Sequence, residues 1–157
     1  MRMGGINEFI GELEQFDSEL TEFNQILKKN VRDAVRKATR DVKNEAVRRA
    51  PEDTGALKDS ASHWVEGYEG FIEFDTPYAA AQEYGSGIAY WGKPYSITPN
   101  EKEALKFTVN GKTIFAKSVV HPGVKAQPYL RPAIKRKKHA FKDHLEEGLQ
   151  EALEEVF

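Results

Sequence analysis

Two adjacent carboxylates, Glu52 and Asp53, are the nearest approach in this sequence to a general acid–base pair. Such a pair works when its surroundings separate the two pKa values, so that one group donates a proton and the other accepts it. Here the pair lies between Pro51 and Gly55, where turn formation and solvation account for both side chains. We therefore predict a turn at this position and assign no catalytic residue to it.

The histidines, which could serve as proton carriers or metal ligands, are scattered along the chain. They are His63, His121, His139 and His144. His139 and His144 are five residues apart, so they do not share a helix face as two ligands four residues apart would. The sequence also lacks a glycine-rich phosphate loop, a Gly-x-Ser-x-Gly motif and a His-Glu-x-x-His motif. We expect a protein that is not an enzyme, with no cofactor and no metal.

A run of four basic side chains is the other group whose chemistry suggests a ligand. Lys135, Arg136, Lys137 and Lys138 could contact phosphates. The run has no interleaved aromatic residues, and a formal net charge of −2 does not itself indicate a nucleic-acid partner. A DNA-binding accessory protein that uses these basic helix surfaces is therefore kept as the alternative interpretation.

The composition is that of one folded domain with a polar surface. The chain has 157 residues, of which 39% are hydrophobic and 31% charged, and it contains no cysteine. The lack of cysteine excludes disulfides and thiolate metal sites. No apolar run reaches the roughly 18 residues of a membrane span, and the first residues turn acidic too early for a signal peptide. We expect no membrane association, and assembly in the cytoplasm of the producing cell.

Charge is segregated along the first 50 residues. Residues 1–22 hold one base against six acids, and residues 28–49 hold nine bases against three acids. Solvated helix faces would account for this pattern. The alternative is that acidic and basic ends meet between the subunits of an assembly.

The same stretch has the periodicity of a long amphipathic helix. Apolar residues recur every three or four positions over residues 6–16 and again over residues 20–47. Asp17 and Ser18 could end a first helix or cap a second one. Pro51 predicts that the helix ends just before it. A helix this long with so thin a stripe packs either on a partner or on its own sheet, and the pattern leaves both open.

Short segments with aromatics and glycines follow the turn. Residues 60–67 and 71–74 are predicted to pair as a hairpin. A short helix is predicted after Pro77, ending at Gly85. Residues 86–103 have the breakers of a loop.

Asn110-Gly111 is the strongest local signal in the sequence, because it is the preferred pair for a two-residue type I′ turn. It predicts a hairpin between strands over residues 104–109 and 112–119. The turn also fixes the register, which pairs Val109 with Lys112 and Phe107 with Ile114. His121-Pro122-Gly123 then breaks the second strand.

The last predicted element is a helix from about Pro132 to near Val156. Its basic start and acidic end oppose the helix dipole, which favours charged partners at both ends. The predicted fold class is α+β, with a long N-terminal helix, a twisted mainly antiparallel sheet with an Asn-Gly hairpin, and a C-terminal helix. The expected single domain covers residues 1–157, as a helical arm (1–50), a sheet region with loops (51–131) and the C-terminal helix (132–157).

Three segments, taken in order, carry a resemblance. The first, residues 50–60, contains Ala-Pro-Glu-Asp-Thr-Gly-Ala-Leu; the second, 78–87, contains Tyr-Ala and then Glu-Tyr-Gly; the third, 121–133, ends in Pro-Tyr-Leu-Arg-Pro-Ala. This set resembles the tail-completion or head–tail joining (neck) proteins of tailed bacteriophages. Tyr129 stands where phenylalanine is commoner in that family, and Gly85-Ser86-Gly87 departs from its usual Gly-Thr.

The resemblance implies structural work in a virion. Proteins of this kind help to complete the tail and join it to the head, and related neck proteins form rings around the DNA channel. It therefore implies a homo-oligomer whose other partners are neck, tail-terminator or tail-tube proteins, close to channel DNA. The expected location is the neck or tail of the virion.

Two proline-bracketed loops, over residues 90–99 and 121–132, are long for a compact domain, and such loops are often functional. We predict that they dock neighbouring neck or tail proteins. The candidate interface residues within them are Tyr90, Trp91, Tyr95, His121, Pro128, Tyr129 and Arg131.

Overall fold

The computed structural model of this chain describes residues 4–100 and 103–156. Its helices are α1 (Gly4–Arg49), α2 (Ala56–Asp59), α3 (Ala79–Tyr84), α4 (Ile88–Trp91) and α5 (Leu130–Val156). Its strands are β1 (Ala61–Glu66), β2 (Glu69–Phe74), β3 (Tyr95–Ile97), β4 (Leu105–Val109), β5 (Lys112–Ala116) and β6 (Val119–His121). The predicted α+β class is confirmed, with long helices at both ends and antiparallel strands between them.

Helix α1 is continuous over 46 residues, a length of about 69 Å at 1.5 Å per residue. It runs through Asp17 and Ser18, so neither residue ends one helix or begins another. No proline interrupts the helix at this point. A side-chain hydrogen bond spans the two residues, from Gln15 to the carboxylate of Glu19 one turn away, at 2.8 Å. The helix ends at Arg49, and Pro51 follows after one further residue, Ala50. In the turn after it, Gly55 takes a left-handed φ of 85°.

Helix α5 packs antiparallel along the C-terminal half of α1. Glu45 of α1 lies 3.6 Å from Arg136 near the start of α5, and the side chain of Asn30 donates to the carbonyl of Gly148 near its end, at 3.0 Å. A Cβ added at Gly148 would lie 3.2 Å from the Asn30 side chain, so glycine permits this close approach. The first part of α1, over residues 5–18, is exposed throughout.

The strands form three two-stranded antiparallel sheets, β1–β2, β3–β6 and β4–β5. The predicted register of the Asn110-Gly111 hairpin is confirmed, with Val109 opposite Lys112 and Phe107 opposite Ile114. Asn110 and Gly111 have φ values of 49° and 76°, the positive pair that a type I′ turn requires. The first hairpin, β1–β2, also lies where the sequence placed it.

Three predicted boundaries differ from the structure. Residues 86–103 are not one loop, because they contain α4 and β3, while residues 101–102 lie outside the described part of the chain. The strand predicted over residues 112–119 ends at Ala116, and β6 begins at Val119. β6 pairs with β3, which is distant in sequence, over only three residues. Strands this short show no alternation of apolar and polar residues that would have predicted the pairing. Helix α5 begins at Leu130, two residues before Pro132.

The main buried cluster is small and lies where α1, the turn after it and the starts of α3 and α5 meet. Its buried members are Ala46, Ala50, Leu57, Ala79, Tyr129 and Ala133. Alanines at both helix faces let the backbones approach closely. Within the described residues, none of the helices is both long enough and apolar enough to cross a bilayer.

Candidate functional site at the junction of the three motif segments

The three segments that carry the family resemblance meet in space. Ala50 and Leu57 from the first, Ala79 from the second, and Tyr129 and Ala133 from the third belong to the same core cluster. Above this cluster lies an open cleft of about 550 Å³, lined by the turn over residues 51–57 together with Tyr78, Gln82 and Gln127. The motifs thus form the joint that holds α1, α3 and α5 together.

Glu83 of α3 links the second segment to the third. Its carboxylate accepts hydrogen bonds from the backbone N–H groups of Tyr129, Leu130 and Arg131, at 2.7, 2.9 and 3.1 Å. These are N–H groups at the start of α5 that have no partner within the helix. A distant glutamate therefore caps this helix, which explains why α5 begins at Leu130 instead of Pro132.

Arg131 completes the network around Glu83. Its Nε donates to the Glu83 carboxylate at 2.8 Å, and its Nη2 donates to the Glu83 backbone carbonyl at 2.9 Å. The guanidinium also lies over the ring of Tyr84, 4.8 Å from the centroid. Glu83 is only 3% exposed, so its charge is buried but satisfied on all sides.

Burial by itself would raise the pKa of Glu83. The hydrogen bonds from Leu130, the Arg131 side chain and Tyr129 outweigh this effect and hold the pKa below its ordinary value of 4.5. The carboxylate is therefore charged at neutral pH, and its attraction to the α5 terminus is fully present there.

This lowered pKa predicts how stability depends on pH. A carboxyl group whose folded pKa is depressed stabilises the fold above its unfolded pKa and loses that contribution as the pH falls through the folded value. We expect the stability difference between the wild-type protein and Glu83→Gln to be largest above pH 4.5 and to shrink as the pH falls below it. Urea denaturation of both proteins at pH 7 and at successive lower pH values measures this difference. A difference independent of pH would contradict it.

Tyr129, one of the candidate interface residues, lies in the core, 2% exposed. Its ring packs edge-on against Phe74, and its hydroxyl lies 3.3 Å from the carbonyl oxygen of Ala79, to which it donates. Burial and the nearby charge of Glu83 raise the pKa of Tyr129 to about 12, so the phenol stays neutral. Its position shows why this motif position takes an aromatic ring, and it leaves the ring out of reach of a docking partner.

The backbones of the second and third segments cross in van der Waals contact at Gly87 and Gly123. A Cβ at Gly87 would lie 2.3 Å from the carbonyl oxygen of Pro122, and one at Gly123 would lie 2.0 Å from that of Ser86. The crossing is held by backbone hydrogen bonds on either side, from Ser86 to Val124 at 2.9 Å and from Ile88 to Pro122 at 2.7 Å. Only glycine fits at either position.

Four candidate interface residues are brought together by this crossing and by the β3–β6 pairing. Tyr90 packs edge-on against Trp91, and Trp91 packs edge-on against Tyr95, with centroids 5.6 and 5.8 Å apart. The rings of Tyr95 and His121 are tilted at 43° to each other, with centroids 5.4 Å apart. Tyr90 and Trp91 are 58% and 57% exposed. We name these four residues the aromatic ridge. Segments that are separate in sequence, α4, β3 and β6, therefore present one aromatic surface.

The other candidate residues lie elsewhere. Pro128 is exposed beside the motif joint, and the Arg131 side chain is engaged with Glu83 and Tyr84. In the basic run, Arg136 pairs with Glu45 across the α1–α5 interface, while Lys135, Lys137 and Lys138 line a groove between α5 and the first hairpin. Among the described residues no cluster of three or more histidine and carboxylate side chains has the arrangement of a metal site.

Sequence reasoning assigned no role to Glu83, Gly87 or Gly123, although all three lie in the quoted motif segments. A signal was present: α5 begins without a serine, threonine, aspartate or asparagine cap of its own, so its N–H groups needed an acceptor from elsewhere. Nothing in the sequence indicated which carboxylate would supply it.

Comparison with known proteins agrees with the resemblance seen in the motifs. Residues 14–85 match the family model HK97-gp10_like, described as "Bacteriophage HK97-gp10, putative tail-component". The matched range includes the first motif segment and most of the second, and it covers a little under half of the chain. No curated protein and no solved structure matches this chain. The predicted phage tail or neck resemblance is therefore confirmed: over residues 14–85 this protein matches the HK97-gp10-like family of bacteriophage tail components.

Proposed function

We propose that this protein is a non-enzymatic structural component of the neck or tail end of a virion, which helps to complete the tail and join it to the head. The observation that carries the proposal is the family match over residues 14–85, to a model described as a tail component. We further propose that it works as a ring-forming homo-oligomer whose other partners are neck, tail-terminator or tail-tube proteins.

The aromatic ridge supports a docking role. Tyrosine and tryptophan dominate the binding energy of many protein interfaces, because they bury large rigid surfaces at low entropic cost. Tyr90 and Trp91 are more than half exposed, yet they stand on a backbone crossing that fixes their position. A surface of this kind is suited to binding a neighbouring neck or tail protein.

The alternative, a DNA-binding accessory protein, has weaker support. Arg136 is paired with Glu45, and the other three basic side chains of the run border an apolar groove, which suits a protein partner better than a phosphate backbone. A DNA affinity that falls steeply with salt would favour this alternative.

Deletion of the gene from its phage tests the proposal. We expect electron micrographs of the lysates to show DNA-filled heads separate from free or malformed tails, and the infectious titre to fall. The expected cause is an unfinished head–tail joint. Intact, infectious particles would overturn the neck proposal.

Complementation of the deleted phage tests the aromatic ridge. We expect the titre restored by the double variant Tyr90→Ala, Trp91→Ala to be at least roughly a hundredfold lower than that restored by the wild-type gene. The reason is that each substitution removes an interface anchor that contributes about 2 kcal/mol of binding free energy. Phe115→Ala is the matched control, since Phe115 is equally large and 66% exposed but lies on the β4–β5 hairpin. Equal titres for the double variant and the control would argue against docking through the ridge.

A further inference from the structure

The N-terminal part of α1 carries an apolar stripe that its own chain leaves exposed. We call residues 5–22 the arm; they form only the first part of the helical region predicted over residues 1–50. Its large apolar side chains are between 39% and 64% exposed: Ile6, Phe9, Ile10, Leu13, Phe16 and Leu20. Further along α1 the same stripe is buried, as at Ala34 and Val35. The arm therefore continues the buried face of the helix into solvent, which is typical of a helix face with a missing partner.

The arm is also strongly acidic. It contains six carboxylates and no basic residue, namely Glu8, Glu12, Glu14, Asp17, Glu19 and Glu22. Two arms packed against each other would bring like charges together, which is destabilising. The charge of the arm thus favours a partner surface that is apolar and basic.

The chain itself presents such a surface. A groove of about 540 Å³ lies between α1, the β1–β2 hairpin and the start of α5. Its walls include Val42, Ile72 and Phe141, and three lysines stand along its α5 side: Lys135, Lys137 and Lys138. The groove combines the two properties that the arm requires.

We infer that the arm of one copy docks in this groove of a second copy. The apolar stripe covers the groove, and the carboxylates beside the stripe, such as Glu12 and Asp17, face the lysines. This inference rests on the proposed homo-oligomer and names the surfaces that form it.

An arm cannot fill the groove of its own chain. Helix α1 is continuous from Gly4 to Arg49, so Leu13 at the centre of the arm stands about 38 Å along the helix from Ala38 beside the groove. The occupant must therefore come from another molecule. Because arm and groove are different surfaces, one-way docking is a head-to-tail contact, which gives a ring when the rotation between copies closes and an open filament when it does not. Mutual exchange of arms gives a dimer.

Disulfide trapping tests the contact directly, because the chain has no cysteine of its own. One population carries Leu13→Cys in the arm, and a second, tagged population carries Ile134→Cys at the groove, a position 51% exposed. After mixing and mild oxidation we expect the tagged and untagged chains to be joined. Links only between two Leu13→Cys chains, or no links at all, would overturn the inference.

Charge reversal tests the complementarity. We expect Glu12→Lys with Asp17→Lys, or Lys135→Glu with Lys138→Glu, to weaken self-association at least roughly tenfold, because each variant sets like charges against each other. An equimolar mixture of the two variants should associate again, because every arm then finds an opposite groove. Lys106→Glu with Lys117→Glu is the matched control and should associate like the wild-type protein, since these exposed lysines lie at the β4–β5 hairpin.

Mass measurement by light scattering over a range of concentrations separates the outcomes. A wild-type protein that stays at the monomer mass of 17.8 kDa at every concentration overturns both this inference and the proposed homo-oligomer. An oligomer that both reversals leave intact overturns the inference alone and leaves the homo-oligomer standing.

Discussion

Glu83→Gln is expected to destabilise this protein by about 3 kcal/mol, because breaking a buried ion pair leaves the other charge and its hydrogen-bond donors without a full acceptor. The carboxylate accepts from three backbone N–H groups at the start of α5 and from the Arg131 side chain. Glutamine has one carbonyl oxygen and a donor NH₂ group, so at least one of these N–H groups meets another donor. For a domain of this size the loss corresponds to roughly 6–12 °C in melting temperature.

Thermal and urea denaturation of Glu83→Gln beside Glu73→Gln would measure this effect. Glu73 is an exposed glutamate on β2, so its substitution should change the free energy of unfolding by no more than about 0.5 kcal/mol. If both variants unfolded like the wild-type protein, Glu83 would not be the cap that fixes the start of α5.

Local pattern in the sequence was enough to predict the elements whose causes are themselves local. The apolar periodicity of α1 and α5 and the Asn110-Gly111 turn depend on residues a few positions apart. The continuity of α1 through Asp17 and Ser18 was left open, because both residues are also good helix caps and the pattern before and after them is equally regular.

Contacts between distant segments could not be predicted in this way. β3 pairs with β6 over only three residues, too few to show alternation, and the pairing splits a strand that seemed continuous over residues 112–119. Tyr129 was chosen as an interface residue because it lies in a predicted loop, but its ring is buried. The hydroxyl of a buried tyrosine needs only one acceptor, which Ala79 supplies. The sequence showed the three motif segments as a set but not why they occur together. The structure gives the reason, which is that they meet in one joint.

The candidate site shows the same division. The four residues of the ridge were chosen by residue type and loop position, and the structure brings them into one run of ring contacts. The residues that hold the ridge in place, Gly87 and Gly123, have no side chain to suggest a role. Their function follows only from what a Cβ would meet.

The second large loss of stability is expected from adding one methyl group at the backbone crossing beneath the ridge. Gly123→Ala should destabilise the protein by at least about 3 kcal/mol, because alanine is strained at a φ of 95° and its Cβ would lie 2.0 Å from the carbonyl oxygen of Ser86. The clash is with backbone, so no side-chain rotation relieves it. The two backbone segments that cross here must separate, which breaks the hydrogen bonds from Ser86 to Val124 and from Ile88 to Pro122.

Gly67→Ala is the matched control for this substitution. Gly67 also has a positive φ, 60°, but a Cβ there would meet nothing within 4 Å, so only the backbone strain of roughly 1–2 kcal/mol applies. The difference between the two variants in denaturation isolates the contribution of the crossing, and hydrogen exchange locates it, since the amides of Ser86 and Ile88 should lose protection in Gly123→Ala alone. Because the aromatic ridge stands on this crossing, the same variant should also fail to restore infectious titre at temperatures where it is still folded. Equal stabilities for the two variants, with both amides protected, would show that the crossing accommodates a Cβ with no further loss of stability. The crossing would then not be what holds the ridge in place.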